Sequence, residues 1–233
     1  MSNEYVRALQ QLQAQQTHLP NEIGDQWCTP DWLYLALDEL YGPFVVDLFS
    51  DGPNAKCPVF FTADDNALTQ DWSAALRKGA ELAGADDAEP VKCFGNPPYS
   101  IKRAGRGRRA PHVTGMQHIM KKAYEEHRKG TPSFWLVKSA TSESWWPDGE
   151  CSKIIHIKGR IAFDLPRWYR PDAMSSDAST AGFGASLIIF DGLSTSRAPE
   201  EYVRREELME IGMPLAAKKH FDREAWFRRW EDL

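Results

Sequence analysis

The sequence predicts an α/β layered domain with a mostly parallel central sheet. Three observations lead there. Short apolar runs, such as "PFVVDLF" at 43–49 and "SFWLVKS" at 133–139, alternate with segments of helical periodicity; that order builds parallel strands joined by crossover helices. The runs are apolar on both faces, as strands covered by helices on each side must be. Two of them end in polar residues, Asp47 and Asn96, and open sheets of this class bind ligands at the C-terminal ends of their strands.

The elements follow in order. Residues 3–17 carry Val6, Leu9 and Leu12 at helical spacing among Gln and Arg, which reads as a peripheral amphipathic helix. "HLPNEIGDQ" is a loop. Thr29-Pro30 opens a helix through Leu40, with Thr29 as N-cap, Pro30 at the first helical position, and Leu33, Ala36, Leu37 and Leu40 on one face. Gly42 ends it. The strand at 43–49 follows, then the turn "SDGPNAK" and a short strand in "CPVFF". "TADDNALTQDW" reads as a polar loop, residues 73–83 as a helix and "GADDAE" as an acidic turn. "PVKCFG" is a third strand. Residues 114–129 form a helix on the period of Met116, Ile119, Met120 and Ala123. The strand at 133–139 comes next. "SKIIHIKGRIAFDL" reads as a strand, a turn at Lys158-Gly159 and a second strand start. Residues 165–183 are irregular, "GASLIIF" is a strand, and a charged tail from Pro199 ends in a helix near 221–231.

A chain of 233 residues supports one sizeable core. A net charge of −5 argues against a protein that coats nucleic acid, although a local basic face remains open because binding follows local potential. Cys28, Cys57, Cys93 and Cys151 include no CxxC pair, so neither a metal knuckle nor a disulfide framework is expected, and a reducing cytoplasm fits best. The N-terminus lacks an apolar signal region and no run is long enough to span a membrane. The six His show no ligand spacing. Most of the nine Trp read as core or edge residues; Trp145-Trp146 and the Arg167–Arg170 loop with Trp168 and Tyr169 are read as packing before contact with a ligand.

The stretch "CFGNPPYS", residues 93–100, carries chemistry. An exocyclic amine on a base is a weak nucleophile because its lone pair is delocalised into the ring. Asn96 Oδ1 can accept one of its protons and the Pro97 carbonyl the other. Pro97 and Pro98 fix φ, which makes the carbonyl direction rigid. The Tyr99 ring offers a flat stacking face. A rigid turn is the plain alternative. Directly after it comes a run with Lys102, Arg103, Arg106, Arg108 and Arg109, spaced by Gly105 and Gly107. Such residues replace counterions on a nucleic-acid backbone, and the glycines would let the loop order only on binding.

"NPPY" after a strand resembles the catalytic motif of amino-group methyltransferases. "QWCTPDWLYLALDELYGPFVVDLFSD", "NAKCPVFFTADDNALTQDW" and "CFGNPPYS", followed by "IIHIKGRIAF" and "GASLIIF", resemble the phage-type (Dam-like) DNA adenine-N6 methyltransferases, over roughly residues 26–191. The resemblance implies a Rossmann-like, S-adenosylmethionine-dependent methyltransferase fold. The chain is expected to divide into a peripheral N-terminal helix at 1–25, a catalytic domain at 26–195 with the basic loop 100–113, and a helical C-terminal tail at 196–233. The resemblance places Thr29 and Pro30 against the methionine part of the cofactor, Asp47 near its amino group and Asp71 near its adenine. Asp64 or Asp65 would take its ribose hydroxyls. Asn96, Pro97, Pro98 and Tyr99 would be the catalytic motif. One departure stands: the turn after the first strand, "DLFSDGPNAK", has only Gly52 where many relatives are glycine-rich.

The expected function is therefore a phage-derived, cytoplasmic DNA adenine-N6 methyltransferase that flips its target base and reads a short or relaxed sequence, with no metal and no membrane. The alternatives are methyl transfer to RNA bases or protein glutamine, and a catalytically silent DNA-binding protein on the same fold.

Overall fold

A computed structural model describes residues 3–19, 22–85, 90–147, 149–171 and 183–219. Five helices and seven strands are formed among them. Helix α1 spans Glu4–Gln13, with Asn3 as N-cap accepting from the Val6 N–H at 2.9 Å. Helix α2 spans Asp31–Tyr41 and leads into β1, Phe44–Asp47. Strand β2 is Val59–Phe60, helix α3 Trp72–Ala83 and strand β3 Lys92–Gly95. Helix α4, Met116–His127, precedes β4, Ser133–Lys138. Strands β5 (Lys153–Lys158), β6 (Ala185–Phe190) and β7 (Glu201–Arg204) and helix α5 (Arg205–Lys219) complete the order.

The strands form one sheet in the order β2-β1-β3-β4-β6-β5-β7. β2, β1, β3 and β4 are parallel neighbours, and β7 is parallel to β5. β6 runs against both β4 and β5, so it alone is reversed. The mostly parallel sheet expected from the sequence is present.

Alternation along β4 shows how the layers close. Phe134 and Leu136 pack with Leu33, Leu37 and Leu208 under α2 and α5, while Trp135 and Val137 pack with Trp72, Ile119 and Met120 under α3 and α4. Successive side chains of a strand point to opposite faces, so a strand sandwiched by two helix layers must be apolar throughout. This is why the run reads as unbroken in the sequence.

Several expectations are corrected. Pro30, not Thr29, occupies the N-cap of α2, and no side chain caps that end. Leu40 is exposed rather than on the buried face. The polar loop at 62–72 contains a 3-10 turn, Ala67–Thr69. Residues 160–164 form no strand; Ile161 and Phe163 are buried, and Asp164 makes an isolated bridge with Cys28. The charged tail contributes β7 and α5. β7 is a polar edge strand without an apolar alternation, and Pro214 interrupts the helical reading of α5. The helix expected near 221–231 lies outside the described residues, as does most of the 165–183 loop.

Candidate active site

Parallel pairing of β1 and β3 sets Asp47 level with Phe94. The Leu48 N–H donates to the Phe94 carbonyl at 2.9 Å. Asp47 and Asn96 therefore leave neighbouring strands at the same edge of the sheet. Two cavities meet there. The larger is lined by Thr29, Asp47, Lys56, Asp64 and Phe94, and by α1. The smaller is lined by Pro97, Tyr99, Phe163 and Phe183. Asp25, Trp27, Asn96 and Pro98 line both, so the wall between the cavities is built from these four.

The turn at 96–100 is held from outside itself. Asp25 Oδ1 accepts from the Tyr99 and Ser100 backbone N–H groups, each at 3.1 Å, and Asp25 Oδ2 accepts from the Ser100 hydroxyl. Asn96 Nδ2 donates to the Trp27 carbonyl at 3.3 Å. Tyr99 Oη accepts from the Lys138 N–H. Burial pushes the Tyr99 phenol up, so it is neutral at physiological pH. Its ring meets Phe183 edge-on, with 66° between the planes.

The larger cavity combines carboxylates with apolar surface. Asp47 is buried and accepts from the Phe49 N–H at 3.2 Å and the Lys56 N–H at 3.0 Å. Burial raises its pKa to about 6, against the lowering effect of those two hydrogen bonds. Lys56 is itself buried, and its ammonium pairs with Asp31 at 2.5 Å. Cys28 lines the same cavity, with its thiol pushed up to about 12 by burial; it is no nucleophile at neutral pH. This donor set fits S-adenosylmethionine: carboxylates for an ammonium and for ribose hydroxyls, and apolar side chains for a flat base.

The three candidate acids of the 62–71 segment separate. Asp64 lines the cavity and accepts from the Asn3 N–H at 3.4 Å. Asp65 turns back on its own loop, taking the Thr62 N–H at 2.8 Å and hydroxyl at 2.7 Å. Asp71 is the N-cap of α3, accepting from the Ala74 N–H at 3.1 Å and the Ser73 hydroxyl at 2.8 Å. Those bonds lower its pKa, the Ala74 N–H most. Asp65 and Asp71, whose oxygens serve these local hydrogen bonds, are not among the cavity residues. Pro30, the N-cap of α2, is likewise not among the cavity residues.

Helix α1 covers the larger cavity with Tyr5, Val6, Leu9, Gln10 and Gln13. Asn3 Nδ2 donates to the Ala63 carbonyl at 2.7 Å, and the Glu4 N–H donates to the Ala104 carbonyl at 2.6 Å. The helix is thus tied to the Asp64 loop and to the basic loop together. The basic loop is folded: the Ala104 N–H donates to the Pro111 carbonyl, and Arg103 pairs with His112 in an isolated bridge. Arg103 Nη1 donates to the Arg108 and Ala110 carbonyls at 2.9 and 2.8 Å, so Arg103 builds the loop. Lys102, Arg106, Arg108 and Arg109 are exposed, and Arg106 pairs with Glu4 at 2.9 Å.

Sequence reasoning missed Asp25, Trp27, Phe183 and Lys56. No local pattern marks them, since each works across a long separation; the α1 residues gave only the signal of an amphipathic face. Trp145, 6.4 Å from the Tyr99 ring, and Trp146, stacked on His156 at 6.4 Å, are half-buried and pack against the core.

A family model described as DNA N-6-adenine-methyltransferase (Dam) matches residues 16–215. The chain belongs to the Dam family. A protein of Escherichia coli (strain K12) named "Putative methyltransferase YfdM" is 52% identical over 99 residues, which span 42% of this chain and 98% of that protein. A crystal structure from Listeria monocytogenes, described as a "putative class I S-adenosylmethionine-dependent methyltransferase", superposes with a TM-score of 0.39 at 14% identity, over 94% of this chain and 78% of that one. This Dam-family chain is an S-adenosylmethionine-dependent methyltransferase with the Rossmann-like sheet described above.

Proposed function

We propose that this enzyme methylates N6 of adenine in DNA, on a base flipped out of the duplex into the smaller cavity. The observation that carries the reading is the shared wall: Asn96 and Pro98 border both the cavity suited to the cofactor and the aromatic one. Bound S-adenosylmethionine supplies an electrophilic methyl group.

The chain's residues do the rest. Asn96 Nδ2 is engaged by the Trp27 carbonyl, which leaves Oδ1 to accept one proton of the amine. The Pro97 carbonyl accepts the other. Two fixed acceptors align the nitrogen lone pair and spare the reaction a search over orientations. Tyr99 gives the base a face to stack on, and Asp25 keeps the Tyr99 backbone from moving. Asp47 meets the cofactor's ammonium, Thr29 its methionine part and Asp64 its ribose. Lys102, Arg106, Arg108 and Arg109 hold the phosphates next to the flipped base, where their charge displaces counterions. A base inside a stack is out of reach of this site, so extrusion is required.

The test is transfer of labelled methyl from S-adenosylmethionine to unmethylated DNA, with RNA, protein and the Asn96→Ala enzyme alongside, and nucleosides identified after digestion. N6-methyladenine from the wild type alone is the expected result. Label in RNA or in glutamine would keep the fold and overturn the substrate.

A further inference from the structure

We infer that Trp27 is a specificity-determining residue, whose indole N–H donates to a ring nitrogen beside the amine being methylated. The inference deepens the proposed function and rests on it.

Trp27 lines both cavities. Its Nε1 is shut off from solvent and finds no acceptor among the described residues. Indole nitrogen can only donate, and a buried donor without an acceptor is costly to fold. Buried Trp135 and Trp72 of the same protein both satisfy theirs, on Ser133 Oγ and the Ala67 carbonyl. Trp168 Nε1 also finds no acceptor among the described residues, but Trp168 packs on His18 and lines neither cavity. Trp27 is therefore the cavity-lining tryptophan whose indole donor has no acceptor among the described residues, and on this inference a base seated in the smaller cavity supplies one.

Ring orientations say what kind of contact this would be. Trp27 lies nearly parallel to Phe163 and to Phe183, at interplanar angles of 26° and 19°. Tyr99 crosses Phe183 steeply, at 66°. A base stacked on Tyr99 therefore crosses the Trp27 plane steeply too. Trp27 meets such a base through an edge contact and not through a second stack.

The chemistry then selects the ligand. The Trp27 carbonyl orients Asn96, so Asn96 Oδ1 and the Pro97 carbonyl take two amine protons. The Trp27 N–H adds one donor beside those two acceptors. The complement is an amine on a carbon flanked by an unprotonated ring nitrogen. Adenine N1 flanks the carbon that bears N6, and N7 lies one bond beyond it; cytosine N3 meets the same condition, so the contact discriminates against guanine and not against cytosine. A base with a protonated ring nitrogen at that place would set donor against donor. The bond orients and discriminates; it does not activate, because a donor on the ring nitrogen draws electron density away from the amine.

The experiment measures kcat/KM for methyl transfer to DNA whose target adenine is replaced by 7-deazaadenine or 1-deazaadenine, with wild type and Trp27→Phe. Wild type is expected to lose about 10- to 100-fold on one analogue, since a buried donor is then left unpaired. Trp27→Phe is expected to lose a similar factor on adenine and to treat adenine and that analogue alike, the signature of direct coupling. A Trp27→Phe penalty that is the same on every base would mark a structural role and overturn the inference. So would an active wild type indifferent to both analogues, a result that stands even where the variant fails to fold. A wild type that makes no N6-methyladenine would instead overturn the function on which this rests.

Discussion

The backbone carbonyl of Trp27 accepts the side-chain N–H of Asn96 at 3.3 Å, across 69 residues of sequence. A carbonyl cannot donate, so this bond fixes which end of the Asn96 amide faces which way. The segment that opens α2 thereby orients the residue that closes β3.

Asn96→Ala removes one of the two proposed acceptors and leaves the Pro97 carbonyl. Loss of one fixed polar partner at a reacting centre costs roughly 10²- to 10³-fold in kcat. Affinity for S-adenosylmethionine, read by calorimetric titration, should stay within about twofold, because the Asp47 side of the cavity is untouched. Wild-type turnover by this variant removes Asn96 from the chemistry.

Asp47 carries a pH dependence of known sign. Burial raises its pKa to about 6 in the fold. A raised value means that its contribution to stability is full below the unfolded carboxylate pKa and is lost as pH rises through about 6. Binding of an ammonium runs the other way, since it needs the ionised form. Affinity for S-adenosylmethionine should therefore increase as pH climbs toward neutrality, by up to about tenfold per unit below the Asp47 pKa. Asp47→Asn should flatten the profile. A flat profile in the wild type would sink the role.

The fold was legible because strands buried on both faces carry unbroken apolar runs, and Asp47 and Asn96 stood at the ends of two of them. Of the candidate site, only the contiguous segment Asn96–Tyr99 stood out in the sequence, and the structure sets it against the two cavities. Asp25 and Trp27 could not be read, because what matters is that they face the 96–100 turn across a loop. Among the acids, spacing cannot separate Asp64 from Asp65; the Thr62 hydrogen bonds to Asp65 do. Arg103 looked like its neighbours, and only the closed loop shows its guanidinium bound to two carbonyls.

Helix α1 buries none of its residues fully, yet it covers the larger cavity. Its apolar side should therefore matter more to the cofactor than to the fold. Leu9→Asp is expected to weaken S-adenosylmethionine binding about 10-fold, or about 1.4 kcal/mol. The melting temperature without cofactor should move little. A large drop in that temperature with unchanged affinity would reverse the assignment.

The basic loop separates charge from architecture. Replacing Arg106, Arg108 and Arg109 together by Ala should flatten the plot of log affinity for DNA against log salt. The slope should fall by about 0.9 for each phosphate that the variant no longer neutralises. Arg103→Ala should instead expose the loop to proteases, because its two hydrogen bonds to carbonyls go. Fluorescence anisotropy across a salt series checks the first, and limited proteolysis the second. A slope unchanged in the triple variant would put the DNA elsewhere.

Gly95 tests how far packing under the turn sets its position. A Cβ there would lie 2.6 Å from the ring of Trp135, which is fully buried. The ring cannot yield easily, since Trp72 lies 5.8 Å away and its own Nε1 is held by Ser133 Oγ at 2.9 Å. Gly95→Ala must therefore push β3 or Trp135 aside. Overpacking of this kind costs about 1–3 kcal/mol, or about 2–4 °C in melting temperature for each kcal/mol in a chain of this size. Because Asn96 is the next residue, kcat should fall in the same variant while cofactor affinity holds. A drop in stability with full turnover would show that the turn takes its position from its hydrogen bonds to Asp25, Trp27 and Lys138 and not from the packing under Gly95.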